Sequence, residues 1–377
     1  MTEQQTVQIA EAKGRPMLHW VGKRPLDHVT AYPAQLVETF NPTAEETAAQ
    51  GLLFHGDNKD VLAWLLAYGY RGKVNLVYID PPFDSGADYV RQVELRGVTT
   101  SRLEAEAHTL GEQIQYKDIW ANDMYLQFMY ERLLLLRELL AEGGSIYLHC
   151  DARRVHHLRC LFDEVFGAEN FQNEIVWQRT PFAGSSKALA HRFPITHDII
   201  LFYAKSDDYH FEHQYLPYSE EYKARFKYKD ERGYYRKTLL KTYSQDTFER
   251  LREEGRLIDP VREGAYYSYK QYLHESKGKQ VDDIWLDLNL PNPMSQERTD
   301  YPTQKPESLV ERVIKAASHH NGLVLDCFVG SGTTAAVAQK LGRRWIAADI
   351  NKGAVQTTSK RLQTIIQEQI EAGTRPQ

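Results

Sequence analysis

The stretch LVLDCFVGSGTTAAVAQKLG, residues 323–342, reads as strand, glycine-rich turn and helix in immediate succession, and RRWIAAD (343–349) follows as another strand. A strand–turn–helix–strand unit of this length predicts parallel strands in an α/β sheet. Gly330 and Gly332 let the backbone approach a ligand closely at a helix N-terminus. Asp349 follows Gly330 at the end of the second strand, where an acid commonly takes ribose hydroxyls. A tight turn without a ligand is the plain alternative. A dinucleotide loop fits poorly, because the third glycine of G-x-G-x-x-G is missing and Asp326 would repel a pyrophosphate. A Walker loop fails because no Gly-Lys-Ser/Thr follows. Acids on either side of the loop suit a ligand with an ammonium, a ribose and no phosphate, a description that S-adenosylmethionine meets.

Working outward, GLLFHGD (51–57) predicts a strand ending at Asp57, with a helix to about residue 70. KVNLVYID (73–80) is a buried strand with a hard stop at Pro81-Pro82. Pro81 restricts Asp80 to extended geometry, and no helix can start there. Asp80, Pro81, Pro82 and Phe83 thus form a stiff turn that presents a carboxylate, prolyl carbonyls and a ring at the edge where α/β proteins bind ligands. A planar amino group needs that set: two acceptors for its N–H groups and a stacking face. In isolation the tetrapeptide also reads as a strand end with a solvated acid.

Residues 84–117 are expected to be a long mobile loop. A helix is predicted over 123–141, closed by Gly143-Gly144, then a strand at SIYLHC (145–150), a helix to Phe166, and strands at 174–179 and 197–205. The periodic signal fades from about 206 to 295 and resumes with YPTQKPESLVERVIKAAS (301–318). The expected organisation is a polar arm over 1–50, a catalytic half over 51–206, an insert over 207–295 and a cofactor half over 296–377.

The chain has 377 residues and a formal net charge of −5, which by itself gives no hint of nucleic acid. The charge is segregated. Between Glu221 and Gln280 lie nine of the 23 tyrosines and fifteen Lys/Arg against ten Asp/Glu, a local +5 that leaves −10 on the remainder. Cations interleaved with aromatics suit phosphates and sugars, and Arg225, Lys227, Lys229, Arg232, Arg236 and Lys237 are the densest group. A solvated charged face is the plain reading of the same residues. No apolar run approaches the ~20 residues of a membrane span. The N-terminal sequence has no apolar signal core, and three cysteines make no disulfide framework, so a cytoplasmic setting is expected. Cys150, His156, His157 and Cys160 match no ordinary zinc spacing, and no metal is expected.

DPPF, followed much later by TQKP and DCFVGSGTT, resembles the amino-group DNA methyltransferases of the β order, in which the catalytic motif precedes the cofactor motif. The likeness runs from about residue 52 to 362. DARRVHHLRCLFDEVFGAENFQNEIVW (151–177) is similar to the modification-subunit-like adenine methyltransferases of type III restriction-modification systems, although this chain is short beside a full subunit. The resemblance implies a Rossmann-like S-adenosylmethionine-dependent sheet with an inserted target-recognition module, and N6-methylation of a flipped adenine in double-stranded DNA. It implies Asp80, Pro81, Pro82 and Phe83 as the catalytic motif, with phenylalanine where tyrosine is common. Asp326, Phe328, Gly330, Gly332 and Thr333 would shape the methionine pocket, Thr303 and Lys305 would clamp its carboxylate, Asp349 would hold the ribose, and Asp57 would meet the adenine of the cofactor. A homodimer and a restriction partner are family expectations. A cytosine-N4 enzyme, a DNA-binding specificity subunit with a vestigial methyl site, and more remotely a phosphate-cofactor oxidoreductase remain alternatives.

Overall fold

Strands Val74–Ile79 and Leu323–Asp326 lie side by side in parallel, Leu76 opposite Val324 and Val77 opposite Leu325, so two loops distant in sequence leave the sheet at the same edge. The computed structural model describes residues 4–40, 51–82, 88–92, 112–117, 122–181, 191–291 and 295–374, apart from positions 13, 15, 16, 192, 261, 296, 300 and 302. It separates into a larger unit, residues 1–212 with 283–377, and a smaller one, residues 213–282.

The larger unit is built on an eight-stranded sheet in the order Ile284–Trp285, Phe171–Gln178, His197–Ala204, Leu140–Cys150, Val74–Ile79, Leu323–Asp326, Arg344–Asp349, Gly51–His55. Only His197–Ala204 runs against its two neighbours. The central strands are largely apolar, as parallel strands covered on both faces must be, and Leu76, Ile79, Ile146, Leu148 and Leu325 are fully buried. Helix Asn58–Ala67 starts at Asp57, whose side chain accepts from the Lys59 amide, and it buries Val61, Leu62, Leu65 and Leu66. Each such side chain contributes about 1.5–3 kcal/mol by leaving water. Helices Asn122–Leu139 and Val155–Phe166 bury Leu133–Leu136, Leu158, Leu161 and Phe162 in the same core. Helices Glu307–Ala317, Thr333–Lys340 and Lys352–Glu371 complete the unit.

Three expectations change. Gly143 and Gly144 do not end a helix: they lie inside strand Leu140–Cys150, where a Cβ on Gly144 would come 2.8 Å from the carbonyl oxygen of Val74. The glycine lets the two backbones pass at that distance. The N-terminal stretch is not merely a polar arm. Gln5–Gln8 pairs with His28–Ala31, and Ile9, Ala12, Trp20, Val29 and Ala31 enter the main core. Lys23 of the same stretch bridges to the wholly buried Glu164 at 2.5 Å. Within the expected loop, Asp88–Gln92 pairs antiparallel with Glu112–Lys117; the rest of 84–117 lies outside the described residues, as does Phe83. No helix among the described residues is long and apolar enough to cross a membrane.

The smaller unit, where helical and strand periodicity fades in the sequence, is nonetheless a sheet. Tyr228–Asp230, Gly233–Leu239, Ser268–Tyr272 and Leu257–Ile258 form four antiparallel strands, with Gly233 at φ 129° in the first turn. The strands are short and their packing is aromatic: Tyr228, Tyr235 and Tyr272 form a ladder with ring centroids 5.6 Å apart at each step. Asp230 accepts from Lys270 Nζ at 2.9 Å and from the Tyr272 hydroxyl at 2.8 Å.

Candidate active site

An open cleft lies at the carboxyl ends of Val74–Ile79 and Leu323–Asp326. Asp80, Pro81 and Pro82 form one wall; Asp326, Phe328, Gly330, Ser331 and Thr333 form the facing loop; Tyr301, Thr303 and Lys305 close a third side, with Tyr78 at the base. The sequence-expected catalytic turn and most of the expected cofactor loop therefore share one space. Of the nominated residues, Asp57, Gly332 and Asp349 do not line it.

Asp80 is held from one side. Lys305 Nζ donates to its Oδ2, whereas Oδ1 is buried and has no hydrogen-bond partner among the described residues. An unpartnered buried carboxylate oxygen costs on the order of 1–3 kcal/mol or more, and a ligand N–H would remove that cost. Lys305, expected at the methionine carboxylate, lines the cleft and contacts the Asp-Pro-Pro turn. Asp326 is 4% exposed, accepts from the Phe328 amide at 2.9 Å, and has its carboxyl pushed up to about 7 by burial, with the charges of Asp80 and Asp349 adding to the rise. A buried acid so poised gains most from a cation beside it.

The loop's shape follows from its glycines. Gly330 has φ 50° and Gly332 φ 79°, and a Cβ on Gly332 would come 2.6 Å from Thr358 Oγ1. Asp349, 2% exposed, accepts from the Gly330 amide at 2.9 Å and from the Asn351 amide at 2.8 Å. It pins the loop from behind. Thr333 Oγ1 donates to the Lys305 carbonyl at 3.2 Å, tying the loop to the TQKP segment.

Sequence reading missed three supports. Arg132, 5% exposed, donates to Asp57 Oδ1 at 3.0 Å and Asn58 Oδ1 at 2.7 Å and lies 3.6 Å over the Phe128 ring, which meets Phe328 edge-on. Asn58 donates to the Cys327 carbonyl at 3.2 Å, so the Asp57 turn is joined to the cofactor loop. Arg361 donates to the Ser331 carbonyl at 3.1 Å and to Glu307 at 2.7 Å. A lone arginine in the apolar run LQFMYERLLLL is the one signal that pointed to Arg132.

In the smaller unit, Arg225, Lys227, Lys229, Arg232 and Lys237 are exposed, and Arg236 is half-buried. Arg236 is engaged, donating to Gln271 at 2.8 Å and lying over the Tyr222 and Phe226 rings. Strand alternation puts Lys237 on the face opposite Arg236, so the six cations do not form one surface. Among the described residues no group of three or more His, Cys, Asp or Glu side chains is placed to hold a metal.

A mostly parallel sheet whose carboxyl edge joins a glycine-rich loop to a buried acid and an Asp-Pro-Pro turn defines the class: an α/β methyltransferase. The chain belongs to the DNA methylase family of N6 and N4 amino methylation, whose model matches residues 74–360. It is similar to the type II methyltransferase M.EcaI of Enterobacter cloacae, 28% identical over 330 residues that cover 81% of this chain and 68% of the relative. It is also 28% identical over 338 residues to the Mod subunit of the type III restriction-modification enzyme StyLTI of Salmonella typhimurium, covering 78% of this chain. The chain spans 50% of that subunit's length. Among solved structures, the M1.HpyAVI–SAM complex is similar with 17% identity and a TM-score of 0.44, over 83% of this chain and 98% of that one.

Proposed function

We propose that the chain transfers a methyl group from S-adenosylmethionine to the N6 amino group of an adenine in duplex DNA. The observation that carries the reading is the buried Asp80 Oδ1, without a hydrogen-bond partner among the described residues, on a residue that lines the same cleft as the glycine-rich loop and Asp326. The residues fit the cofactor: a loop that admits no side chain at Gly332, a buried acid that favours a cation, and no phosphate-binding lysine in the loop. When bound, S-adenosylmethionine supplies a methyl carbon activated by its sulfonium.

Asp326 faces the ammonium in this reading, and Asp349 acts through the loop by fixing the Gly330 amide on the ribose side. Asp57, held by Arg132, is set toward the cofactor adenine. Lys305 fixes the rotamer of Asp80, leaving Oδ1 to accept one N–H of the target amine while the Pro81 carbonyl accepts the other. Those two bonds draw the nitrogen lone pair out of the ring. As the nitrogen–methyl bond forms and the carbon–sulfur bond breaks, the surplus proton on nitrogen passes to Asp80 Oδ1 and then to water. Phe83 supplies the stacking face. Extrusion of the base costs a few kcal/mol, and the exposed cations of the 213–282 unit bind the flanking phosphates. The relatives' names suggest a modification role beside a restriction activity.

The test is transfer of labelled methyl from S-adenosylmethionine to duplex DNA, with digestion and mass spectrometry of the nucleosides. N6-methyladenine is expected, lost in Asp80→Ala while cofactor binding persists. N4-methylcytosine would correct the base; transfer to RNA or protein alone would overturn the substrate.

A further inference from the structure

Beneath the cleft runs a line of buried polar groups to which the reaction above assigns nothing. Tyr78, two residues before Asp80 and therefore on the same side of its strand, lines the base of the cleft although it is 2% exposed. Its hydroxyl lies 3.2 Å from His149 Nδ1; His149 Nε2 lies 3.0 Å from Asp198 Oδ2; and Arg179 Nε stands 3.1 Å from Asp198 Oδ1. His149 is wholly buried and Asp198 is 2% exposed. The groups come from neighbouring strands of the sheet, Val74–Ile79, Leu140–Cys150 and His197–Ala204, with Arg179 just beyond Phe171–Gln178. An apolar trio of the same volume would fill this space at lower cost, since each buried polar group must be matched.

The partners fix the protons. Burial opposes ionisation of Asp198, but the hydrogen bond from His149, with the charges of Arg179 and Lys305, outweighs it and holds the carboxyl below its usual range. Facing a carboxylate, His149 Nε2 must carry hydrogen. The imidazole takes the tautomer that this bond sets, with its hydrogen on Nε2. Its Nδ1 is then an acceptor, and the Tyr78 hydroxyl donates to it. Burial, then the charges of Asp80, Asp326 and Asp198, push the Tyr78 phenol well above its ordinary value, so the hydroxyl keeps its proton.

We propose that Asp198 and His149 are positioning residues that turn the Tyr78 hydroxyl inward, so that its oxygen lone pairs form a fixed acceptor at the base of the cleft beside Asp80. The proposal rests on the methyl-transfer reading: an acceptor there stabilises the positive charge that builds on the amine nitrogen as the methyl arrives, and a preorganised dipole of this kind acts in the transition state more than in the ground state. Asp198 and His149 reach the reaction only through Tyr78.

That dependence makes the test. Single-turnover methylation of duplex DNA is measured for the parent, Tyr78→Phe, Asp198→Asn and the double variant, together with cofactor affinity and melting temperature. Tyr78→Phe keeps the ring and removes only the hydroxyl. It is expected to slow the transfer step at least tenfold with cofactor affinity within twofold. Asp198→Asn, which presents an amide N–H to Nε2 and reverses the imidazole, is expected to slow it to a similar degree. The double variant should be no slower than Tyr78→Phe alone, because a relay acting through one oxygen has nothing more to lose once that oxygen is gone. Losses that multiply, or a Tyr78→Phe enzyme within twofold of the parent, overturn the proposal. An inactive parent refutes the methyl-transfer reading instead, so the two failures are told apart.

Discussion

Replacing Asp326 with asparagine is expected to make the protein more stable and less able to hold its cofactor. The carboxyl, ordinarily near 3.8, is pushed up to about 7 in the folded chain, chiefly by burial. Between those values the folded chain keeps a proton that the unfolded chain has lost, so stability falls as pH rises through the window. At about 1.36 kcal/mol per unit, the difference of roughly three units is a cost of about 4 kcal/mol near neutrality. Asparagine keeps the acceptor for the Phe328 amide and never ionises, so it escapes that cost. Urea denaturation of the parent and Asp326→Asn without cofactor, at pH of about 5.5 and about 7.5, checks the idea. The advantage of the variant should grow by about 2 kcal/mol from the lower to the higher pH. An advantage that is the same at both would refute the reasoning, as would calorimetry showing undiminished S-adenosylmethionine affinity, since the acid that destabilises the empty fold is the one assigned to the ammonium. For the parent, cofactor affinity should rise with pH up to about 7 and level off above it.

Gly332→Ala places a methyl 2.6 Å from Thr358 Oγ1 at a φ of 79°, and a loss of about 2–3 kcal/mol with weaker cofactor binding is expected by thermal shift; a variant as stable as the parent would show that the loop can move aside. Arg132→Met keeps the stem but strands Asn58 and Asp57. Asp57, 40% exposed, retains some water, so a destabilisation of about 2 kcal/mol is expected in denaturant titration, with the cofactor constant weakened in parallel. Replacing Arg232 and Lys237 with glutamine should reduce the slope of log affinity against log salt by up to about 2, leaving cofactor affinity alone; an unchanged slope would put the DNA face elsewhere. Arg236→Gln is expected in addition to lower the melting temperature, because that side chain packs on Tyr222 and Phe226 and bonds Gln271.

The parts of the site that were legible in the sequence are those where chemistry is written locally. Prolines after Asp80 restrict the backbone and glycines after Asp326 free it for a close turn, wherever the segments lie, so both loops could be read without a fold. What brings them together, the pairing of Val74–Ile79 with Leu323–Asp326, is a long-range choice with no local signature. Arg361 was invisible for the same reason: it sits on a helix whose sequence is complete without it, and only packing turns it toward the loop, while Arg132 left one trace, a lone arginine in an apolar run. His149 and Asp198 read as ordinary residues of buried strands until register set one beside the other. The N-terminal stretch was misread because its apolar residues are few and aperiodic; they are buried singly among larger neighbours. In the 213–282 unit, tyrosines and cations obscured strand alternation, since both fit a half-exposed strand face.

The strand order has a consequence for how the molecule is made. Leu323–Asp326 and Arg344–Asp349 lie between Val74–Ile79 and Gly51–His55, so Gly51–His55 cannot join the rest of the sheet until the later pair arrives. About 240 residues separate Ile79 from Leu323, which at roughly 5–20 residues per second is about 12–50 s of ribosome time. Throughout that interval the place of those two strands, one strand in from the sheet's edge, is an empty slot whose flanking edges are open to mispairing. Filling the slot closes the sheet and assembles the cleft in one event, so the half-made chain has no methyl-transfer site to misuse.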